Sequence, residues 1–357
     1  MGNSKYKKLI EWLRSQINVL PVGSRIESEN ELAVRFGFSR QTVRHALEVL
    51  ENEGLLRRTR GSGTYTLKKL PVRAAATLTV AVILTFVDDY IFPRMIAAIE
   101  QTLRRSGYNI QLMFTHNRID LERAALISIL AGGVDAVIAE PVKSALPNLN
   151  LDLYQQMDRQ NLPCIFVNAW YQALPSQHIS VDDQAGGRLA VQHLSDSGHR
   201  SIGAVFKADD LQGHLRYQGF CAGLLANDLT FSDDHMIWYT TEELDDLFGG
   251  SHDDYFLKRF TGCTALVCYN DQIALRLISL LARHGLRCPE NLSIISFDDS
   301  NLAGPRALNL TSISHPKELM GEQAAVRILQ LLDSPCEDVS YVFEPHLIKR
   351  GSVMTLS

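Results

Sequence analysis

From Leu78 onward the chain repeats one pattern: a continuous apolar run of strand length, a polar junction, then a helical stretch. The runs are Leu78 to Phe86, Ile110 to Thr115, Ala136 to Glu140, Cys164 to Asn168, Ile202 to Phe206, Leu266 to Tyr269 and Ile294 to Phe297. Strands that are apolar on both faces and separated by helices belong to parallel sheets covered on both sides. An α/β body is therefore expected over residues 78–357. A second, similar series begins after Gln184, which favours two lobes with two parallel sheets over one long sheet. Ligands of such sheets sit beyond the carboxyl ends of the strands. Those ends carry Asp89, Tyr90 and Phe92, then Glu140 and Lys143, then Asn168, and later Asp271 and Asp298. Carboxylates, amides and a cation around aromatic faces suit a polyhydroxylated ligand, because they bond paired hydroxyls while a ring packs on the apolar side. One Asp at a strand end is usually a helix cap; several converging ones point to a site.

Residues 1–70 obey a different rule. Tyr6, Leu9, Ile10, Leu13 and Ile17 have helical spacing and precede a turn at Pro21 and Gly23. Ser28-Glu29-Asn30-Glu31 is a capping box that opens a short helix ending near Gly37. Ser39 then caps a third helix with apolar Val43, Ala46, Leu47 and Leu50, which Gly54 stops. Its other face bears Arg40, Gln41, Thr42 and Arg44, where a helix end enters a major groove. Residues 55–65 read as two short strands about a glycine turn, with Arg60, Gly61 and Gly63 at a basic tip. Taken singly, two arginines on a helix are as well explained by a solvated face, and the glycine turn by a plain hairpin. Their order within seventy residues argues for DNA binding, with Lys5, Glu29 and Ser39 added to the contact set.

Charge supports the division. Residues 1–70 hold 13 Lys and Arg against 7 Glu and no Asp, whereas the remainder holds 22 basic and 33 acidic residues. A basic head on an acidic body fits a head that meets a polyanion. Residues 71–77 read as a linker. The first twenty residues lack the apolar core and cleavage site of a signal peptide, so the cytoplasm is expected. No apolar run reaches membrane-spanning length. The six cysteines, Cys164, Cys221, Cys263, Cys268, Cys288 and Cys336, lack paired metal-site spacing and read as buried, reduced thiols; no metal and no cofactor are expected.

The stretch Glu27 to Tyr65 resembles the GntR-type winged helix-turn-helix. The body resembles the LacI-type regulatory domain, itself similar to periplasmic sugar-binding proteins. That likeness is carried by Ser180 to His199, Arg216 with Gly219-Phe220, Tyr269-Asn270-Asp271, Ser296 to Asp299 and Leu310 to Pro316. It implies that Arg216 grips the effector, that Asp271 binds its hydroxyls, and that the Asp298 loop touches it. The combination of the two is similar to the family of arabinose repressors of Gram-positive bacteria, including the runs Asp89 to Pro93, Glu140 to Leu146, Phe206 to Gly213 and Phe343 to Ile348. The resemblance implies repression of arabinose-utilisation genes, release from double-stranded operator DNA by L-arabinose, and a homodimer. The head lacks the hinge helix of LacI proteins, so that family's route from sugar to operator does not carry over.

Two rival readings remain. A sugar-acting enzyme would need a visible catalytic motif, and the chain has no GxSxG, HExxH, Walker or strand-borne GxGxxG sequence. A repressor of another neutral sugar or a sugar phosphate is the second. Phosphate calls for an amide cradle or clustered cations, and the strand ends offer carboxylates instead.

Overall fold

The computed structural model describes residues 9–10, 12–14, 16–17, 20–52, 54–59, 62–67, 76–87, 90–334 and 338–356. Lys5, Arg60, Gly61, Asp89, Cys336 and most of the 71–77 linker lie outside them. Packing separates a unit built on Met1–Thr77 from one formed by Leu78–Asp158, Leu162–Leu332 and Val339–Ser357.

The head opens with helical turns at 9–10, 12–14 and 16–17 and continues with α1 (Glu29–Phe36) and α2 (Arg40–Asn52). The capping box forms as the sequence requires: Ser28 N donates to Glu31 Oε2 at 2.7 Å, and Glu31 N donates to Ser28 Oγ. Gly37 ends α1 in the left-handed region at φ 64°, which glycine reaches without steric cost. Leu9, Leu13, Ile17, Leu32, Val43, Ala46, Leu47 and Leu50 make one core, with Ile10 packed partly buried against it, so the apolar stripes turn inward; Tyr6 lies outside the described residues. Strands β1 (Leu56–Thr59) and β2 (Gly63–Thr66) pair antiparallel as the wing, and Arg25 bridges to Tyr65 beside them.

The body has two six-stranded sheets, each flanked by helices. The first is ordered β13-β7-β6-β5-β3-β4 and is parallel throughout. It comprises β3 (Thr79–Leu84), β4 (Asn109–Phe114), β5 (Ala136–Ala139), β6 (Cys164–Val167), β7 (Gln177–Val181) and β13 (Tyr341–Phe343). Helices α3 (Phe92–Arg105), α4 (Ile119–Leu130) and α5 (Leu151–Arg159) link its strands. The second is ordered β14-β12-β11-β10-β8-β9, with only β14 antiparallel. Its strands are β8 (Ile202–Lys207), β9 (Met236–Tyr239), β10 (Ala265–Cys268), β11 (Ser293–Asp298), β12 (Thr311–Ser314) and β14 (Leu347–Ile348).

Helix α6 (Asp183–Asp196) opens the second lobe and packs on α7 (Leu211–Ala226). Short helices α8 (Leu244–Leu247) and α9 (Asp253–Arg259) and the longer α10 (Asp271–Arg283) follow, and α11 (Lys317–Asp333) returns to the core of the first lobe. The chain thus crosses between lobes after β7, after β12 and after β13.

All seven apolar runs are strands. β7, β9, β12, β13 and β14 fall outside those runs: Gln177–Val181 and Thr311–Ser314 are too polar to stand out, and the last two have only 3 and 2 residues. Backbone pairing in the sheet defines these four, whereas β9 (Met236–Tyr239) is apolar but only four residues long. Among the described residues no helix is long and apolar enough to cross a membrane.

Candidate functional site

The surface of the head is organised by α2. Ser39 Oγ accepts from Thr42 N at 3.2 Å and lies 2.8 Å from Thr42 Oγ1, so these two hydroxyls set the helix start. Arg40, Gln41 and Arg44 are exposed beside them. Glu29 takes Arg44 Nη2 at 3.1 Å and Arg58 Nη2 at 2.7 Å, tying the α2 face to the wing strand β1. Expected among the DNA contacts, Glu29 here positions two arginines. Arg58 stands outside the expected contact set, in a basic run without periodicity. Gly63 has φ 128°, and a Cβ there would meet Arg25 Nε at 2.8 Å, which explains glycine in the wing. The site offers solvent-facing guanidiniums at a helix amino-terminus and at a hairpin, the chemistry that phosphates and guanine edges accept.

In the body, α6 and α7 approach so closely that a Cβ on Gly187 would strike the Arg216 carbonyl, and one on Gly219 the Gln184 carbonyl. This contact brings Asp183 of α6 against Arg216 of α7: Nε to Oδ1 is 2.7 Å, with both side chains buried. Arg216 Nη1 donates to the Tyr269 carbonyl at 2.5 Å and Nη2 to Asp298 Oδ1 at 3.3 Å. The guanidinium lies 4.4 Å from the Phe297 ring and 4.9 Å from that of Tyr269. Burial pushes the Asp183 carboxyl up to about 6, against the pull of Arg216. Burial also opposes the Arg216 charge, but Asp183 and Asp298 outweigh it and raise its pKa. The two partners shift the same way; the 2.7 Å bond and a value below 7 make the pair ionic at neutral pH.

The first lobe reaches across. Tyr90 OH donates to Asp298 Oδ2 at 2.7 Å and accepts from Asp271 N at 3.2 Å. Glu140 accepts from Thr85 N at 2.9 Å and from Asn168 Nδ2 at 2.6 Å, and burial raises its pKa against these bonds. Asn168 Oδ1 meets His315 Nε2 at 2.9 Å. Tyr90, Asp298 and Arg216 thus form one hydrogen-bonded set and Glu140, Asn168 and His315 another, joined through the backbone where His315 N donates to the Asp298 carbonyl at 3.4 Å. His116, Asn117, Lys143, Asn168, Asp298 and Asp299 all have positive φ without being glycine, and such strain gathers where side chains must be aimed.

Three expected residues fall elsewhere. Phe92 is the first residue of α3 and is buried in the core of the first lobe with Val80, Met95 and Ile99; the helix start turns its ring inward. Asp271, read as a hydroxyl binder, gives Oδ1 to the Ser296 and Ser312 hydroxyls and Oδ2 to the Ser300 amide and hydroxyl. Four donors use its acceptor capacity within the second lobe. Lys143 is at the outer rim, bonded to Glu242 Oε1 at 2.6 Å and 3.7 Å from Asp209 Oδ2.

A cavity of about 730 Å³ opens at that rim, lined by Arg118, Arg123, Lys143, Asp152 and Glu242 among others. Its charges are already paired with one another. The space beside Arg216, Asp183, Asp298 and His315 is only about 10 Å³. We nonetheless place the site there, because that is where unlike groups converge. Asp183 and His315 stand outside the expected contact set, although both lie in stretches that carry the family likeness, Ser180 to His199 and Leu310 to Pro316. Among the described residues no cluster of three or more His, Cys, Asp or Glu could hold a metal.

Residues 5–66 match the model of the bacterial regulatory proteins of the gntR family, and residues 191–353 match the periplasmic binding protein-like domain. An arabinose metabolism transcriptional repressor of Halalkalibacterium halodurans is 36% identical over 98% of this chain and 96% of the relative. Another, from Geobacillus stearothermophilus, is 34% identical over 97% and 95%. A LacI-type regulator of Alkaliphilus metalliredigens, solved with D-xylulofuranose, superposes with a TM-score of 0.66 over 77% of this chain and 99% of its own, at 22% identity.

Proposed function

Because this chain belongs to the family of arabinose metabolism transcriptional repressors, a DNA-binding head joined to a sugar-responsive body, we propose that it represses arabinose-utilisation genes and leaves its operator when L-arabinose enters the interlobe cleft of the body. The observation that carries this reading is the buried Arg216 fork between Asp183 and Asp298, met from the opposite lobe by the Tyr90 hydroxyl. A guanidinium, a carboxylate and a hydroxyl-bonding tyrosine suit a neutral sugar, with Arg216 donating to ring or hydroxyl oxygens and Asp298 accepting from hydroxyls. Glu140, Asn168 and His315 complete the set. A sugar displaces the repressor only by binding its DNA-free form more tightly than its DNA-bound form.

In this reading the head contacts DNA through Arg40, Gln41, Arg44 and the wing, the protein acts as a homodimer in the cytoplasm, and the cleft binds its sugar without turning it over and without a further cofactor. Calorimetry against a panel of pentoses and pentose phosphates, paired with fluorescence anisotropy on operator DNA, tests it. The expected result is L-arabinose binding that releases DNA with the sugar recovered unchanged. Binding of a phosphorylated sugar in preference, or release of DNA by none of them, refutes the reading.

A further inference from the structure

Lys317 is a buried lysine, 6% exposed, at the first position of α11, where the chain leaves the second lobe for the first. Its ammonium donates to three backbone carbonyls: Asp298 at 2.6 Å, Asp299 at 2.8 Å and His315 at 3.2 Å. Three donors meet three acceptors, so the group is saturated without a carboxylate ligand. The carbonyls are those of two strained neighbours, Asp298 at φ 93° and Asp299 at φ 42°, and of the residue that bonds Asn168. Left-handed backbone at a non-glycine residue costs on the order of 1–3 kcal/mol and persists only when the surroundings impose it. Here the ammonium is the group on which the strained carbonyls converge.

We propose that Lys317 is the positioning residue of effector recognition: seated on the carbonyls of Asp298, Asp299 and His315, it aims the Asp298 carboxylate at Arg216 and locks the interlobe crossover to the sugar-contacting loop. The inference rests on the sugar-binding reading above. It gives the second crossover, after β12, a direct mechanical tie to the effector carboxylate.

The charge matters as well as the geometry. Asp298 faces Arg216 and through it Asp183 from α7 and α6, Tyr90 from the first lobe, and Asp271 from α10; Asp299 beside it pairs with Arg350. His315 and Glu318 flank Lys317, and Glu318 pairs with Arg94. Burial pulls the Lys317 ammonium down from its ordinary value, while Asp298, Asp299 and Asp271 pull it up. By the same reciprocity the ammonium offsets repulsion among those carboxylates.

The test compares wild type, K317Q and K317R by calorimetry with L-arabinose, or whichever pentose the wild type binds, between pH 5.5 and 8, with urea unfolding as the check on folding. K317Q is expected to lose on the order of tenfold or more in affinity at pH 7, and the midpoint of its affinity–pH profile is expected to move upward, since Asp271, already raised to about 6 by burial, holds its proton more tightly once the ammonium is gone. K317R keeps the charge but not the compact three-carbonyl seat, so affinity falls while the midpoint stays. Weaker binding by K317Q with an unmoved midpoint reduces Lys317 to a packing role and overturns the proposal, as does wild-type affinity in either variant. If K317Q does not fold, wild-type affinity in K317R still overturns the proposal, and weaker binding by K317R with its urea unfolding unchanged supports it. Wild type that binds no sugar overturns the functional reading itself, a result distinct from wild type binding while the variants match it.

Discussion

Arg216→Met removes the guanidinium at the centre of the cleft while keeping an unbranched side chain of similar reach. The structure states what is lost: the 2.7 Å bond to Asp183, the 2.5 Å bond to the Tyr269 carbonyl and the 3.3 Å bond to Asp298. Asp183 is 2% exposed, so its charge remains buried without its cation. Breaking one side of a buried pair costs about 3–5 kcal/mol, most of it the stranded charge. At about 2–4 °C per kcal/mol for a unit of this size, the body's melting transition should fall by about 6–20 °C. Asp183→Asn in the same chain removes the stranded carboxylate and should restore a good part of that stability. It should not restore sugar binding, because the fork proposed to meet the sugar is still absent. Calorimetry and thermal melting of wild type, R216M, D183N and R216M/D183N separate the two effects. Operator affinity should be unchanged in all four, since the head has its own core. Should the double variant melt no higher than R216M, or R216M bind L-arabinose like wild type, the assignment of this pair is wrong.

Arg40→Ala and Arg44→Ala should each weaken operator binding by about ten- to a hundredfold, the range of a lost bidentate base contact, while leaving the melting transition in place because both side chains are exposed. Wild-type affinity in anisotropy titrations of both would remove α2 from the groove. Operator affinity should also fall steeply as salt rises, because phosphate contacts by the basic head release counterions; a flat response between 50 and 200 mM salt, the range over which such contacts act, contradicts this. His315 is the pH test. Burial lowers its pKa to about 4 from an ordinary 6.5, so the unfolded chain takes the proton first and stability is lost as pH falls from 6.5 towards 4. Asp183 and Asp271, each raised to about 6, act in the opposite sense over the same window. His315→Gln retains a donor towards Asn168 and should therefore gain about 2 kcal/mol on wild type between pH 7 and pH 5 in urea unfolding. Parallel pH profiles for the two proteins would show His315 to be protonated in the folded state.

The head could be read almost entirely from sequence because its signals are local. A capping box needs two residues three apart, a left-handed cap needs one glycine, and an apolar stripe needs only helical spacing; Ser28, Gly37 and the Val43 to Leu50 face each behaved accordingly. The α/β class of the body was equally local, since a strand buried on both faces must be apolar along its length. The cleft was not. Tyr90 and Asp298 are 208 residues apart in the chain, and Asn168 and His315 are 147 apart.

A strand-end aspartate looks the same in sequence whether it faces a ligand or its own lobe. Asp298 meets Arg216 and Tyr90, whereas Asp271 is engaged by Ser296, Ser300 and Ser312. Only the crossing of the chain between lobes decides which. Lys317 shows the same limit: a lysine after a proline reads as a solvated helix start, and what makes it a buried clamp is the strained turn at Asp298-Asp299, which β11 brings against it. Local chemistry is set by neighbours in the chain, but the direction in which a buried charge points is set by partners that only the tertiary fold supplies.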